Sequence, residues 1–309
     1  MNNQQTIAVI GATGQIGSPL TKSLLELGHK VILLVRSYKH KKKLEYFRER
    51  NARIILIEDF YDVDELSCAI KNADTLVCAV PASDEIIKHS EPLWLKAAVK
   101  ADIKRFVPTE FGCHTRGLDY GDGILFDKKK DFQEKLFKSK IGWTLVYNGL
   151  IYEYCLPNLR FFDKITTFGN MNLDIYTHNI NDIGRFAALA VTDERTLNKC
   201  VQMDYQFLSQ NKMLELLKKN FPKYSFEYQY YSEEFIVDSM KGAGDEVSAK
   251  KGAETDKERW GINNVIYVLG KLALFTNETL RATDLWKNFK LSQTAAEALA
   301  DKKFVFENK

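Results

Sequence analysis

The sequence lacks the cysteine, histidine and leader patterns that mark disulfide-rich, metal-binding or exported proteins. Its five cysteines are an odd number and form no Cys-x-x-Cys pair, which argues against a disulfide framework and a structural zinc site. Its five histidines include no His-x-x-x-His pair, so no metal site is predicted. The first residues show neither a basic start nor a long apolar run. A reducing, cytoplasmic location is therefore expected.

Neither sign of charge dominates, and no apolar run is long. Forty-four Lys and Arg residues face 41 Asp and Glu residues, a surplus too small to predict nucleic-acid binding without a local basic patch. The apolar stretch at 265–275 is well short of the ~20 residues that cross a bilayer, so it predicts a buried helix and no membrane partner. Hydrophobic residues make up 45% of the chain, which is enough for a globular core.

Short β-branched runs alternate with longer helical patterns through the first half of the chain. The predicted strands are 6–10, 31–35, 53–57, 75–80, 105–107 and 144–147, and the predicted helices are 15–27, 39–50, 63–72, 86–101 and 126–139. Strands separated by single helices pair in parallel through right-handed crossovers. The predicted fold class is therefore α/β, with a Rossmann-like, doubly wound parallel sheet.

A glycine-rich turn follows the first predicted strand directly and opens the first predicted helix. Glycines in such a turn let the backbone approach a pyrophosphate, whose charge meets free amides and the positive end of the helix dipole. Glycines there also serve simply to make the turn, but this position in the alternation favours dinucleotide binding. The predicted cofactor contacts in the turn are Gly11, Thr13, Gly14, Gln15, Ile16 and Gly17.

Arg36 ends the second predicted strand, where an Asp or Glu would bind the ribose hydroxyls of NAD. A guanidinium at this position pairs instead with a 2′-phosphate, so the predicted cofactor is NADP(H). The basic run 39–43 offers Lys43 as a second cation for that phosphate. Such runs are also typical of a solvated helix face, which is the expectation for most members of this run.

Other candidate contacts follow later strands of the predicted sheet. Val80 and Pro81 follow the fourth strand at its carboxyl end, where open parallel sheets hold ligands, so they are predicted to lie beside the nicotinamide. Asn148 follows the sixth strand and is predicted to have a polar role in the same cleft. Asp59, after the third strand, either contacts adenine or ribose or caps the next helix.

Two common catalytic patterns are missing from the expected places. The helix after the fifth strand has no Tyr-x-x-x-Lys pair, and the pair Tyr38 and Lys42, which has that spacing, lies at the adenosine end. The chain also has no Gly-x-Ser-x-Gly turn, which disfavours a serine hydrolase.

Together the motifs resemble the NmrA-like, isoflavone-reductase-like family of atypical short-chain dehydrogenases/reductases. The resemblance spans roughly residues 5–220 and rests on six segments: GATGQIG (11–17), LLVR (33–36), EDFYD (58–62), KRFVPTEFG (104–112), IGWTLVYNG (141–149) and NDIGRFAALAVTDERTLNK (181–199). In that family a catalytic lysine stands fifteen residues before the Thr of a Tyr-Thr or Trp-Thr pair. Counting back from Thr144, the resemblance implies Lys129 as the catalytic group, beside the nicotinamide and the substrate.

An ammonium group at that place suits either of two roles. It delivers or accepts a proton as the hydride moves, or it polarises a carbonyl oxygen without proton transfer. The alternative is that residues 128–130 form only a solvated basic turn. Because the loop 113–125 departs from the plant reductases, no phenylpropanoid substrate is implied. Further candidates for substrate contact, all of which are also compatible with a place in the core or loop, are His114, Arg116, Tyr147, Tyr152 and Tyr154.

The regular alternation ends after Asn148, which predicts two regions. Residues 1–155 form an NADP-binding Rossmann domain, and residues 156–309 form a smaller, less regular substrate-binding region, with part of 174–205 returning to the sheet. The segment 240–257, rich in Gly, Lys and acidic residues, predicts a surface loop and a candidate lid.

The preferred function is NADPH-dependent hydride transfer to a small aromatic or conjugated substrate. The alternative, which the resemblance also allows, is an NADP(H)-sensing regulatory protein that contacts other proteins without turnover.

Overall fold

A computed structural model describes residues 4–160, 163–242 and 256–306 of the chain. Its main sheet has eight strands in the order β13-β10-β6-β5-β4-β1-β2-β3, and every neighbouring pair is parallel. The strands are β1 Thr6–Ile10, β2 Lys30–Val35, β3 Arg53–Leu56, β4 Thr75–Cys78, β5 Arg105–Val107, β6 Gly142–Tyr147, β7 Leu150–Ile151, β8 Ile165–Phe168, β9 Ile175–His178, β10 Lys199–Gln202, β11 Phe207–Leu208, β12 Tyr228–Tyr231 and β13 Thr279–Arg281.

Helices cover both faces of the main sheet. They are α1 Gly17–Glu26, α2 Lys41–Arg48, α3 Val63–Ile70, α4 Glu91–Lys100, α5 Ile124–Lys138, α6 Tyr152–Cys155, α7 Ile180–Thr192, α8 Gln210–Asn220, α9 Glu233–Lys241, α10 Asp256–Asn263, α11 Ala282–Leu285, α12 Ala295–Ala300 and α13 Lys302–Phe306. Turns of π-helix, Glu85–Ser90 and Asn264–Val268, precede α4 and follow α10. The Rossmann-like α/β class predicted from the sequence is confirmed.

Alternate residues of the central strands enter two separate cores. Ile7 and Val9 of β1 pack with α1, α2 and α7 on one face, while Ala8 and Ile10 pack with α3, α4 and α5 on the other. This alternation follows from the period of two along a strand, and it explains why strands buried on both faces read as continuous apolar runs. The strand order reverses between β1 and β4, which makes that point the crevice where such sheets bind ligands.

The rest of the chain adds a third core at the carboxyl side of the sheet. Two small sheets, ordered β11-β9-β7 and β12-β8, pack with α8 to α10, α12 and α13. Two strands of the later chain also lie in the main sheet, where β10 pairs with β6 and β13 pairs with β10. Helix α7 packs against α1, so residues beyond 155 also complete the first core.

Two of the predicted segments differ from the structure. The helix predicted at 265–275 is wrong beyond Val268, because Gly270 takes a φ of +66° and the backbone turns away. Lys271 then binds Asp119 and Asp122 at 2.9 and 2.8 Å. The loop predicted at 240–257 begins inside α9 and ends inside α10, and residues 243–255 lie outside the described residues. Among the described residues, no helix is both long and apolar enough to span a membrane.

Candidate active site

The glycine turn between β1 and α1 leaves no space for a side chain at two of its glycines. Gly11 has a φ of +85°, and a Cβ on it would lie 2.3 Å from the Ala79 carbonyl oxygen. A Cβ on Gly17 would lie 2.1 Å from the Gly11 carbonyl oxygen, which accepts the Gly14 N–H at 2.8 Å. Within this described turn, no side chain caps α1 and no acidic residue stands in its first turn. The turn therefore fits an anion held by backbone amides.

The side chains of the turn have different surroundings. Ile16 packs against the core, whereas Gln15 Oε1 accepts a hydrogen bond from Tyr154 Oη at 2.7 Å. The Thr13 carbonyl oxygen accepts one from Lys43 Nζ at 2.9 Å. Helices α2 and α6, which are distant in sequence, thus each place a side chain against this turn.

Arg36 follows β2 with an exposed side chain, and across the described part of the chain no hydrogen bond or ion pair engages its guanidinium. Lys43, in the first turn of α2, reaches the glycine turn through Thr13. Lys39, Lys41 and Lys42 are exposed, as expected for a solvated helix face. Arg36 after β2 and Lys43 on α2 are the cations that suit a phosphate on an adenosine ribose.

Asp62 is the residue that caps α3. Its Oδ1 accepts from the N–H groups of Asp64 at 2.7 Å and Glu65 at 3.0 Å. The carboxylate of Asp59 accepts from the Tyr61 N–H at 2.8 Å, so the capping alternative for Asp59 is wrong. Its exposed position after β3 leaves the adenine or ribose contact as a prediction.

The segment after β4 lies against the glycine turn at the point where the strand order reverses. Ala79 donates its N–H to the Ile10 carbonyl oxygen at 2.9 Å, and a Cβ on Gly11 would lie 2.8 Å from Val80 Cγ1. Pro81 follows with an exposed ring. These two residues therefore stand at the mouth of the crevice.

Lys129 lies on α5 with only 6% of its surface exposed. Its Nζ donates to the Glu110 carbonyl oxygen at 3.0 Å and lies 3.9 Å from Glu110 Oε2. Glu110 comes just after β5, on the edge of the sheet that also carries the glycine turn. The alternative, that Lys129 belongs only to a solvated basic turn, is therefore wrong.

The two neighbouring lysines make structural contacts. Lys128 binds Asp84 and binds Glu258 at 2.6 Å, which joins α5 to α10 and to the segment after β4. The hydrogen bond from Lys128 lowers the pKa of Asp84. Lys130 donates to the Leu118 carbonyl oxygen and lies 4.6 Å from the Tyr120 ring centroid. Each of the three consecutive lysines thus contacts a different part of the fold.

Three buried polar residues around Lys129 were not predicted as site residues. Glu110 is 1% exposed, and its Oε1 accepts from Gln133 Nε2 at 2.9 Å. Glu91, at the start of α4, accepts the Thr109 N–H at 2.6 Å. Gln133 lies four residues after Lys129, so helical spacing predicts a shared face. Glu110 stands in the quoted segment KRFVPTEFG, whereas no sequence signal points to Glu91.

Asn148 follows β6 and is 1% exposed. Its Nδ2 donates to the Gly149 carbonyl oxygen at 2.8 Å, and its Oδ1 has no hydrogen-bond partner among the described residues. His178 fixes this backbone, because its Nδ1 lies 3.2 Å from the Asn148 carbonyl oxygen while its Nε2 accepts the Gln206 N–H. Burial lowers the pKa of His178 to about 4, so the ring is neutral and Nδ1 is the donor.

The remaining candidates for substrate contact lie mostly in the core. His114 is fully buried, and burial lowers its pKa to about 4; its ring nitrogens engage the Gly117 N–H and Thr279 Oγ1. Tyr147 is also fully buried and accepts the Arg116 N–H at 3.2 Å. Because both ring nitrogens of His114 are used inside the fold, that side chain has no donor for a substrate here.

Arg116, Tyr152 and Tyr154 differ in exposure. Arg116 pairs with Glu134 and Glu278 at 3.7 and 3.5 Å. Tyr152 is buried, and its hydroxyl donates to the Gln293 carbonyl oxygen at 2.9 Å. Tyr154 is 53% exposed and lies on the glycine turn through Gln15. Of these three, only Tyr154 has its side chain at the predicted cofactor crevice.

No group of three or more metal-ligating side chains occurs among the described residues.

Comparison with known proteins gives one family and several solved folds. The model of the NmrA-like family matches residues 3–250. The chain is 31% identical to phenylcoumaran benzylic ether reductase IRL1 of Ginkgo biloba, over 76% of this chain and 80% of that protein.

Among solved structures, a crystal structure of isoflavone reductase superposes with a TM-score of 0.83 at 22% identity, covering 98% of this chain and 100% of that one. The binary complex of leucoanthocyanidin reductase with NADPH from Vitis vinifera gives 0.80 at 21% identity, covering 95% and 98%. At these identities the structural similarity establishes the fold alone.

Proposed function

Because the chain belongs to the NmrA-like family, we propose that it is an NADPH-dependent reductase that transfers hydride to a small aromatic or conjugated substrate. The observation that carries the proposal is a buried ammonium, that of Lys129, on the sheet edge that also bears the glycine turn. The relatives of this chain support the proposed activity, since the matched proteins are named reductases and one of the solved structures is a complex with NADPH.

The residues along the crevice suit the successive parts of NADP(H). The tight glycine turn suits the pyrophosphate, because a side chain at Gly11 or Gly17 would fill the space next to the backbone amides. Arg36 and Lys43 suit the 2′-phosphate, and this pair of cations is what favours NADP(H) over NAD(H). Val80, Pro81 and Asn148 suit the nicotinamide half. When bound, NADPH supplies the hydride.

Lys129 is proposed as the general acid or base. Its Nζ holds a proton at the edge of the crevice and gives it to the substrate atom that gains negative charge during reduction. Burial of the side chain keeps water from competing for that atom, and the hydrogen bond to Glu110 orients the ammonium.

The substrate class rests on the relatives rather than on the loop 113–125. The matched proteins are named for a phenylcoumaran benzylic ether, an isoflavone and a leucoanthocyanidin, all of which are aromatic compounds. We therefore propose a small aromatic or conjugated substrate, with no single compound favoured. A regulatory role without turnover has no supporting observation of its own.

A reducing compartment such as the cytoplasm is proposed from the cysteines. All five are free, and Cys78, Cys113 and Cys200 are buried. Free thiols persist where glutathione and thioredoxin keep them reduced.

Cofactor choice is tested by titrating NADPH, NADP, NADH and NAD against thermal unfolding, since a ligand that binds only the folded state raises its stability. Arg36→Ala should weaken NADPH binding about 10- to 100-fold, because a charged hydrogen bond contributes ~1.5–3 kcal/mol, and should leave NADH binding unchanged. Lys39→Ala, which removes an exposed lysine of the same run, is the control. Tighter binding of NADH by the parent would contradict the proposal.

Catalysis is tested by following NADPH oxidation with quinones, enones and aromatic aldehydes. Lys129→Met keeps the side-chain volume and should lower kcat by about 100-fold or more, because it removes the proton donor. Lys130→Met, on the same helix, should keep most of the parental kcat. If the parent binds NADPH but reduces no compound of the panel, the regulatory alternative gains support.

A further inference from the structure

We propose that Glu110 is a positioning residue for Lys129, whose buried carboxylate, held by Gln133, fixes the ammonium at the point of proton transfer. The inference rests on the proposed function of Lys129 and adds the groups through which the chain controls that lysine. Neither carboxyl-bearing residue near Lys129 was predicted from the sequence.

Glu110 faces Lys129 with two different groups. Its backbone carbonyl accepts from Nζ at 3.0 Å, and its side chain brings Oε2 to 3.9 Å from the same atom. An ammonium has three N–H donors, and the hydrogen bond to the carbonyl uses one of them, which leaves two for other partners. The carboxylate adds an ion-pair contact without a hydrogen bond, so Glu110 holds Nζ through both its backbone and its side chain.

One oxygen of the Glu110 carboxylate accepts a hydrogen bond and the other does not. Gln133 Nε2 donates to Oε1 at 2.9 Å, whereas Oε2 is buried and has no hydrogen-bond partner among the described residues. Leaving a buried carboxylate oxygen unsatisfied is costly, and the nearby ammonium is the cation that offsets this cost. Lys129 and Gln133 are one turn apart on α5, so the helix presents the charge and its clamp together.

Burial strengthens the ion pair between Lys129 and Glu110. Glu110 and Gln133 are each 1% exposed and Lys129 is 6% exposed, so solvent screens the two charges little. Glu91 is the other buried carboxyl facing this group. Burial raises its pKa to about 7, so near neutral pH it is partly neutral and competes less for the ammonium.

In the proposed step, Lys129 Nζ gives one proton to the substrate and afterwards regains one proton from the solvent. Glu110 is neither donor nor acceptor in the reaction. Its role is to hold Nζ in place.

The pairing is tested by a double-mutant cycle on stability with Glu110→Gln, Lys129→Met and the double variant. Each single change leaves one buried charge without its partner, so each should lower the denaturant midpoint. The double variant removes both charges, and its loss should be clearly smaller than the sum of the single losses. Additive losses would overturn the pairing. If a single variant fails to fold while the double variant folds, the pairing is supported.

The positioning role is tested by the kinetics of Glu110→Gln in NADPH oxidation. The amide keeps an acceptor for Gln133 but has no negative charge to attract the Lys129 ammonium. We expect kcat to fall about 10- to 100-fold, while KM and the NADPH Kd stay within about twofold of the parent. Glu134→Gln, which removes the exposed carboxylate next along α5, should change none of them. An unchanged kcat, or a loss confined to NADPH affinity and stability, would overturn the role.

The two experiments separate this inference from the proposed function. A parent that reduces no substrate would remove the reductase proposal, and the positioning role of Glu110 with it, whatever the stability cycle gives. A parent that turns over, with an unchanged kcat in Glu110→Gln, would remove the positioning role and leave the reductase intact.

Discussion

Glu91 carries the most strongly displaced carboxyl among the residues around Lys129. Burial raises its pKa from 4.5 to about 7; the Thr109 N–H opposes the rise, Glu110 adds to it, and Lys129 opposes it. The folded protein therefore holds a proton that the unfolded chain releases at lower pH. The stabilisation this provides is fully present below pH 4.5 and is lost as the pH rises to about 7, which amounts to about 3 kcal/mol.

Glu91→Gln should remove this pH dependence. The amide keeps an oxygen for the Thr109 N–H but does not titrate. The unfolding free energy of the variant minus that of the parent should therefore rise by about 3 kcal/mol between pH 4.5 and pH 8. The measurement is guanidinium unfolding of the cofactor-free protein at both pH values. Glu134→Gln is the matched control and should show a difference near zero. A Glu91→Gln effect of the same size at both pH values would contradict the displaced titration.

At the residue scale, the sequence predicted where the site residues stand along the chain better than it predicted which residues they contact. Arg36 and Gly17 are defined by their distance from a strand end, which is local information. The polar groups around Lys129 come from three places, which are the start of α4, the segment after β5 and the middle of α5, and of these only Gln133 shares its helix. His114 illustrates the reverse, because a residue that looked available for substrate has both ring nitrogens engaged inside the fold.

At the scale of elements, the local sequence determines the strands and most helix boundaries. The strand predicted at 6–10 matches β1, and the helix predicted at 63–72 ends near Ile70. The start of that helix is set by Asp62, whose carboxylate takes two N–H groups that would otherwise have no partner. Glu65 extends the cap by accepting the N–H groups of Glu58 and Asp59 at 2.8 and 3.0 Å.

Asp62→Ala should destabilise the protein by about 1 kcal/mol, because it removes the cap of α3. Asp62→Asn keeps an acceptor oxygen and should lose much less. Chemical denaturation monitored by circular dichroism gives both values. Equal losses in the two variants would mean that the charge, rather than the cap hydrogen bonds, stabilises this helix.

The segment 265–275 shows where element prediction fails. Its apolar content suits a buried helix, and Val265, Ile266 and Tyr267 are indeed buried. Burial alone does not distinguish a helix from a packed irregular segment. Gly270, with its positive φ, ends the helical turn, and the rest of the segment packs as irregular chain.

For the whole molecule, the contact between α1 and α7 joins the first half of the chain to the second. Gly184 allows this contact, since a Cβ on it would lie 2.5 Å from the Pro19 carbonyl carbon and 2.8 Å from the Leu20 nitrogen. Ile183 and Phe186 of α7 share a core with Leu20 and Leu24. The helix that begins at the glycine turn is therefore supported by residues far along the chain.

Gly184→Val should destabilise the protein by at least about 1–3 kcal/mol, because the new side chain forces α7 away from α1. NADPH binding should weaken as well, since α1 carries the glycine turn. Asn181→Val puts the same side chain on an exposed position of α7 and should change neither quantity much. Guanidinium unfolding and an NADPH titration provide the two measurements. Parental stability in Gly184→Val would show that the helices can separate without cost.

The sequence by itself determined the parallel sheet, the glycine turn, the placing of Arg36 and Lys43 after β2 and the position of Lys129 on its helix. Each of these depends on residues close together in the chain, where periodicity and spacing carry the signal. Only the tertiary structure decided that Lys129 is buried against Glu110, that His114 lies in the core and that α7 supports α1. These facts depend on which distant surfaces pack together, and local patterns do not encode that choice.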